Sequence, residues 1–152
     1  EDADPANRDQ GDGQGCFNAQ RVESVQALHR WIDSDPTGSG SDHVALIGDF
    51  NAYAMEDPMR WLRERGWVDP LQGAGSYSFV FDGQSGRLDH ALLSATLAQA
   101  LRGAAKWHSN ADEPLAFGYD GAHGDEAGPW RASDHDPLVL GFEFDAAPPS
   151  AR

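Results

Sequence analysis

The fold of this chain is limited most by a series of short strand-like segments, each of six to eight residues, separated by polar loops. The first segment, HVALIG, is a continuous apolar run, which is typical of a strand buried on both faces. The turn GQSG joins the second and third segments in a predicted hairpin. No apolar run approaches the ~20 residues that a membrane-spanning helix needs. The predicted strands are residues 43–48, 77–82, 87–93, 104–109 and 137–144.

Three helices are predicted between these strands. Residues 18–33 carry an apolar stripe at helical spacing, with Asn18 as the N-cap. Residues 58–65 form a short second helix that opens with proline. Ser94 is placed to cap a third helix that runs to Leu101 and is ended by a glycine at 103.

The charge balance restricts how this protein can meet nucleic acid. The net charge is −14, from 25 acidic and 11 basic side chains. Binding of nucleic acid mainly through a basic surface is therefore excluded, because phosphate neutralisation needs Lys and Arg. A phosphate-cleaving enzyme is not excluded, since carboxylates recruit divalent cations that then face the phosphate.

The single cysteine, Cys16, leaves two interpretations open. A lone cysteine is usually a small buried thiol. Alternatively, Cys16 is half of a disulfide whose partner lies upstream of residue 1.

The first chemical motif is GDFN, at the end of the first strand. Asp49 and Asn51 are two residues apart, so on an extended backbone their side chains point the same way. A carboxylate there can hold a cation or take a proton from water, and an amide can donate to a phosphate oxygen. An Asx turn at a strand end also explains the tetrapeptide, and for these four residues alone it is the favoured interpretation.

The second and third motifs are RLDH and SDHDP. Asp89 interrupts an apolar strand, so we expect it to meet a cation, a histidine or a row of amides, although an exposed edge strand is an equal alternative. Strand alternation sends His90 to the opposite face. Asp134 and His135 are adjacent, so both can reach one site only on an irregular loop. A histidine beside a carboxylate suits proton transfer or phosphate contact. Alternatively, these residues are a simple cluster of capping residues. Together the motifs supply what phosphate hydrolysis requires.

The ordered set GDFN, LDH and SDHDP resembles the endonuclease/exonuclease/phosphatase superfamily, which includes deoxyribonuclease I and the abasic-site endonucleases. Within it, the runs GDGQGCFNAQR, GDFNAYAMEDP, SYSFVFDGQSGRLDHAL and WHSNADEP are most similar to bacterial secreted extracellular nucleases. The resemblance implies an α+β fold, the C-terminal half of a four-layer α/β/β/α sandwich in which two packed β-sheets carry helices outside. Residues 1–145 would then form the C-terminal portion of that domain, with 1–17 as a loop and 146–152 as a tail or linker.

The resemblance also implies a role for each motif residue. Asp49 would orient or deprotonate the attacking water and bind metal, and Asn51 would contact the scissile phosphate. Asp89 would lie near the phosphate or the metal. Asp134 would bind metal and hold the neighbouring histidine, and His135 would contact the phosphate and act in proton transfer.

The family's N-terminal half, with its metal-binding glutamate, has no counterpart in these residues. We therefore expect the isolated chain to be a fragment with little or no activity, prone to aggregate through uncovered apolar faces. The resemblance further implies Mg²⁺ as cofactor, with Ca²⁺ or Mn²⁺ as alternatives. It implies a secreted or periplasmic location, and the missing half of the polypeptide as a partner.

Three functions remain open from the sequence. The first is a metal-dependent endonuclease acting on DNA, with RNA as a further substrate. The second is a lipid- or sugar-phosphate phosphodiesterase or phosphatase of the same superfamily, because the motifs address only the phosphate. The third is a noncatalytic calcium-binding or adhesion module, in which the motif residues could be replaced without loss of function.

Overall fold

The computed structural model describes residues 4–73, 75–114 and 131–144. Short helices alternate with antiparallel strands in these segments, which confirms the α+β class. The helices are α1 (Asn18–Asp33), α2 (Asp57–Glu64) and α3 (Ala95–Ala100), preceded by a 3-10 helix at Pro5–Asn7. The strands are β1 (Ala45–Asp49), β2 (Phe79–Phe81), β3 (Gln84–Gly86), β4 (Asp89–Leu93), β5 (Leu101–Lys106) and β6 (Leu138–Phe142).

The strands of the described segments form three antiparallel pairs, β1 with β4, β2 with β3, and β5 with β6. The larger four-layer sandwich expected from the resemblance stays a prediction. The pairing of β1 with β4 matters most for function, because it joins strands that are distant in the chain. Its register places Asp49 opposite Asp89 at one end and Ala45 opposite Leu93 at the other.

The predicted hairpin exists, but its turn is not where the sequence suggested. Residues 84–86 pair with 79–81, so they form β3 and are not the turn. The chain reverses at Asp82 and Gly83, both with positive φ, as a two-residue hairpin turn requires. The predicted glycine stop of α3 is also wrong, since Gly103 lies inside β5 next to a register shift.

The helix ends differ in how well the sequence predicted them. Ser94 caps α3 as expected, because its side chain accepts from the Leu97 amide at 3.3 Å. Asn18 does not cap α1, because Phe17 occupies the cap position in the left-handed conformation. The Asn18 side chain instead donates to Asp57 Oδ2 at 2.8 Å, which ties the start of α1 to the start of α2.

The main core lies where α1 and α2 cover one face of β1 and β4. Its largest members are fully or almost fully buried apolar side chains: Val25, Leu46, Met59, Leu62, Trp67 and Leu92. The prediction that β1 is buried on both faces is wrong for the described residues, since Ile47 is 59% exposed. The outer face of β1 is left open there, which explains why an apolar run did not mean two-sided burial.

Two further features concern the surface. Cys16 is exposed, so the buried-thiol interpretation is wrong, and the disulfide interpretation stays a prediction. Within the described segments no helix has the length and apolar character needed to cross a bilayer. The predicted loop 110–132 lies mostly outside the described residues, as does the tail 146–152.

Candidate active site

Two carboxylates meet at one end of the β1–β4 pair. Asp49 is the last residue of β1 and Asp89 the first of β4, and the register sets them directly opposite. Opposite residues of an antiparallel pair share a face, with Cβ atoms ~5 Å apart. Like charges in that position repel, so a positive group or a cation beside them would stabilise the pair.

The GDFN motif forms a tight turn as it leaves β1. Gly48 has a φ of 151°, which residues with a side chain rarely adopt. Asp49 Oδ1 accepts from the Asn51 amide at 2.7 Å, so the Asx turn expected from the tetrapeptide is present. Asn51 has a φ of 47°, a conformation that asparagine tolerates better than most residues. Asn51 is exposed, and its backbone amide ties it to the Asp49 carboxylate.

Asp89 is paired with a histidine, one of the partners expected for a carboxylate in an apolar strand. His135 Nδ1 donates to Asp89 Oδ2 at 2.6 Å, and the two side chains are only 23% and 16% exposed. The Phe79 ring stacks on the imidazole at 4.7 Å, and Phe79 also pairs with His135 through the backbone. With Nδ1 committed to a carboxylate, Nε2 of His135 is the nitrogen left for a substrate.

Asp134 stands apart from this hydrogen-bonded group. It is half-buried next to His135, and none of the described residues donates to its carboxylate. The neighbouring turn is fixed by Ser133, whose hydroxyl accepts from the His135 amide at 3.0 Å. The structure thus joins four of the five predicted site residues by pairing or hydrogen bonds, whereas Asp134 is tied to them by chain adjacency.

The donors at this edge suit a hard divalent cation. Among the described residues no group of three or more His, Cys, Asp or Glu side chains is arranged around a common point. Mg²⁺ rarely needs such a cage, because it usually takes one or two protein carboxylates and completes its shell with water and substrate phosphate. Asp49 and Asp134 each carry a carboxylate, the type of donor that suits this ion.

Lys106 is a residue of the site that sequence reasoning missed. Its Nζ donates to the Asp89 backbone oxygen at 2.7 Å, which places an ammonium group beside the paired carboxylates. Burial lowers the pKa of Lys106 to about 8, although the Asp89 charge opposes this effect. It is the only lysine in the chain, and that was the one signal in the sequence that could have singled it out.

The other polar members of the RLDH motif support the fold. His90 is fully buried on the face opposite Asp89, and its Nε2 donates to the Ala52 carbonyl at 2.8 Å. Arg87 makes a two-pronged ion pair with Asp69, with N–O distances of 2.8 and 2.6 Å. Both partners of that pair are buried, so the arginine is not available to a substrate.

A cleft of about 450 Å³ adjoins Asn51. Arg21 crosses it from α1, donating to the Asn51 carbonyl at 2.7 Å and to Glu56. Glu56 is buried and also accepts from the Tyr53 amide at 3.2 Å, so it acts as an anchor for Arg21. The cleft therefore offers room for substrate next to Asn51, with a guanidinium in its wall.

Comparison with known proteins gives one match. The sequence profile described as the Endonuclease/Exonuclease/phosphatase family matches residues 13–135, which is more than half of the chain. The matched segment includes all three motifs up to His135. No curated protein and no solved structure shows significant similarity to the chain.

Proposed function

This chain belongs to the endonuclease/exonuclease/phosphatase family, and we propose that it is part of a metal-dependent phosphodiester hydrolase that cleaves DNA, with RNA as a further substrate. The observation that most strongly supports this proposal is that Asp49, Asp89 and His135 lie together at one end of the β1–β4 pair. The family includes nucleases and phosphatases, so the choice of nucleic acid is part of the proposal. We also propose a secreted or periplasmic location and residence within a larger polypeptide.

In the proposed reaction each side chain acts on a different part of the phosphodiester. Asp49 orients the attacking water and accepts its proton, while the Asn51 amide donates to a non-bridging oxygen. Nε2 of His135 contacts the phosphate and donates a proton to the leaving oxygen as its bond to phosphorus breaks, and Asp89 holds the imidazole in the required orientation. A divalent cation held by Asp49 and Asp134 would neutralise charge on the phosphate oxygens.

The charge of the chain favours a mechanism that depends on cations. With a net charge of −14, the protein repels a polyanionic substrate at long range. Asp49 and Asp134 would hold a divalent cation, which would reverse the sign of the field at the reaction centre. Removing the metal with a chelator is therefore expected to abolish turnover.

The test is a nicking assay on plasmid DNA with the polypeptide that carries this chain, in Mg²⁺ and in chelator. Asp49→Ala and His135→Ala should each lower kcat by about 10²- to 10⁴-fold, the range typical of proton-transfer groups. His43→Gln is a matched control, because this exposed histidine lies beyond the opposite end of β1 and also neighbours a carboxylate.

Parallel assays on RNA, bis(p-nitrophenyl) phosphate and a phospholipid separate the substrate classes. Hydrolysis of the phospholipid without cleavage of DNA or RNA would replace the nuclease proposal with the lipid alternative. Full hydrolytic activity of both alanine variants would refute the roles given to Asp49 and His135, whereas hydrolysis of none of these substrates would leave a calcium-binding or adhesion module.

A further inference from the structure

A second histidine–carboxylate pair lies next to the first. His108 Nδ1 donates to Asp136 Oδ2 at 2.7 Å, and Asp136 directly follows His135 in the chain. The two pairs are also joined by Asn110, whose side-chain amide donates to the His135 carbonyl at 2.7 Å. Neither His108 nor Asp136 has a part in the reaction proposed above.

Asp136 is a buried carboxylate with several hydrogen-bond donors. It is 3% exposed, and Oδ1 accepts from the amides of Asn110 and Ala111 at 3.0 and 2.9 Å. These bonds fix the carboxylate, whose other oxygen accepts from His108 and so fixes the orientation of that ring.

The other side of the His108 ring is covered by an aromatic face. The Tyr77 ring stacks on it with centroids 4.1 Å apart and planes 14° apart. The tyrosine hydroxyl donates to Asp112, a bond that raises the pKa of Tyr77 to about 12 and keeps it neutral. A neutral ring face stabilises a cation. The His108 side chain remains 36% exposed, and its Nε2 has no recorded partner among the described residues.

The two imidazoles stack on aromatic residues of one short segment. Tyr77 packs against His108 and Phe79 packs against His135, and these two aromatic residues flank Ser78. Ser78 is fully buried, and its hydroxyl accepts from the amides of Leu88 and Asp89. The two histidines are therefore neighbours in the fold.

We propose that His108 binds a second phosphate of the substrate, next to the phosphate at His135. This inference rests on the proposed function and narrows it, because it requires a substrate that carries successive phosphates, a polynucleotide. A substrate with a single phosphodiester would leave His108 without a ligand. His108 is thus a substrate-binding residue outside the reaction centre.

The experiment compares His108→Gln with wild type on a single-stranded oligonucleotide and on bis(p-nitrophenyl) phosphate. For the oligonucleotide KM should rise about tenfold or more with kcat unchanged, as for loss of one charged hydrogen bond. For bis(p-nitrophenyl) phosphate neither constant should change. His108→Lys, which keeps a cation, should restore the KM, whereas His43→Gln should match wild type throughout.

Binding of a labelled oligonucleotide in chelator, measured by fluorescence anisotropy, separates this inference from the proposed function. His108→Gln should weaken binding about tenfold or more, as for loss of one hydrogen bond to a charged phosphate. If DNA is not cleaved but binding depends on His108, the nuclease proposal fails and this inference stands.

Three results would overturn the inference. The first is equal oligonucleotide binding by wild type and His108→Gln. The second is a fall in kcat on both substrates, which would place His108 in the reaction centre. The third is failure of the lysine variant to restore binding although its melting temperature is normal. If His108→Gln does not fold, Tyr77→Leu gives the same comparison, because it removes the ring that supports the imidazole.

Discussion

His90 is a buried imidazole that the fold holds neutral. It is 0% exposed, its Nε2 donates to the Ala52 carbonyl, and its Nδ1 has no hydrogen-bond partner. A second proton would therefore be placed on a buried nitrogen with no acceptor. Burial accordingly lowers the pKa of His90 to about 4.

This shift predicts a loss of stability in mild acid. Between pH 6.5 and 4 the unfolded chain binds a proton at His90 that the folded chain does not, so the free energy of unfolding falls as pH falls. The loss across this window should be roughly 3 kcal/mol, from 1.36 kcal/mol per pKa unit. Urea unfolding at several pH values measures it, with His90→Gln removing most of this dependence.

The control for that measurement is His43→Gln, which removes an exposed histidine and should keep the wild-type pH dependence. Asp136 does not interfere, since its lowered pKa confines its contribution to pH values below its usual 3.8. An unchanged pH dependence in His90→Gln would show that other groups cause the acid sensitivity.

Single residues differ in how far the sequence predicted their surroundings. Asp89 could be expected to find a partner, because an apolar strand makes a lone carboxylate costly, and His135 is that partner. His108 and Lys106 gave no such signal. Each is singled out only by a contact with a residue distant in the chain. His108 contacts Asp136, and Lys106 contacts the Asp89 carbonyl.

At the scale of the elements, Ser94 connects a helix to a strand. Its hydroxyl accepts from the amides of Leu97 and Val44 and donates to the Asp42 carbonyl at 2.7 Å. We predict that Ser94→Ala lowers the free energy of unfolding by about 1–2 kcal/mol, because a cap and a bond to the segment leading into β1 are lost together. Urea unfolding at neutral pH checks the value.

Ser24→Ala provides the comparison within a helix. Ser24 is exposed in α1, and its hydroxyl donates back to the Gln20 carbonyl at 2.8 Å. Such a bond adds little to a helix, and alanine is the better helix former, so stability should be unchanged or slightly higher. Equal losses in the two variants would argue against a capping role for Ser94.

Elements with strong local signals were predicted well, and the others were not. The apolar stripe of residues 18–33 gave α1 its observed bounds, Asn18–Asp33. The hairpin turn was misplaced because Gly83 and Gly86 both suit a turn, and only the pairing of Phe79 with Gly86 decides between them. Gly86 lies in β3 where an added Cβ would be 2.2 Å from the Tyr53 ring, which a local pattern does not reveal.

At the scale of the whole molecule, apolar side chains remain uncovered on two sheets. Ile47 on β1 is 59% exposed and Val139 on β6 is 52% exposed. We predict that the isolated chain self-associates at micromolar concentrations, because uncovered strand faces of this kind bind one another. Light scattering against concentration measures the effect, and Ile47→Thr with Val139→Thr should reduce it.

Met55→Thr is the matched control, since Met55 is 75% exposed but lies in a loop outside the strand faces. It should leave self-association unchanged. A wild-type chain that stays monomeric throughout would show that these faces are tolerated in water.

Sequence reasoning could predict which motifs belong together, but not how the whole chain arranges them. The three motifs pointed to one phosphate site, and the structure brings Asp49, Asp89 and His135 into contact or direct pairing. The pairing of β1 with β4 had no local signal, because it depends on long-range contacts and on the helices that cover one face. The layered sandwich depends on the same kind of contact.

The β1–β4 register has a consequence for how activity disappears under stress. Neither strand holds both carboxylates, and a slip of one residue would turn one of them to the opposite face. The site therefore exists only in molecules in which this pair is fully assembled. Under heat or denaturant, each molecule should therefore be either fully active or inactive. Residual turnover should then be proportional to the fraction of molecules in which the β1–β4 pair is intact.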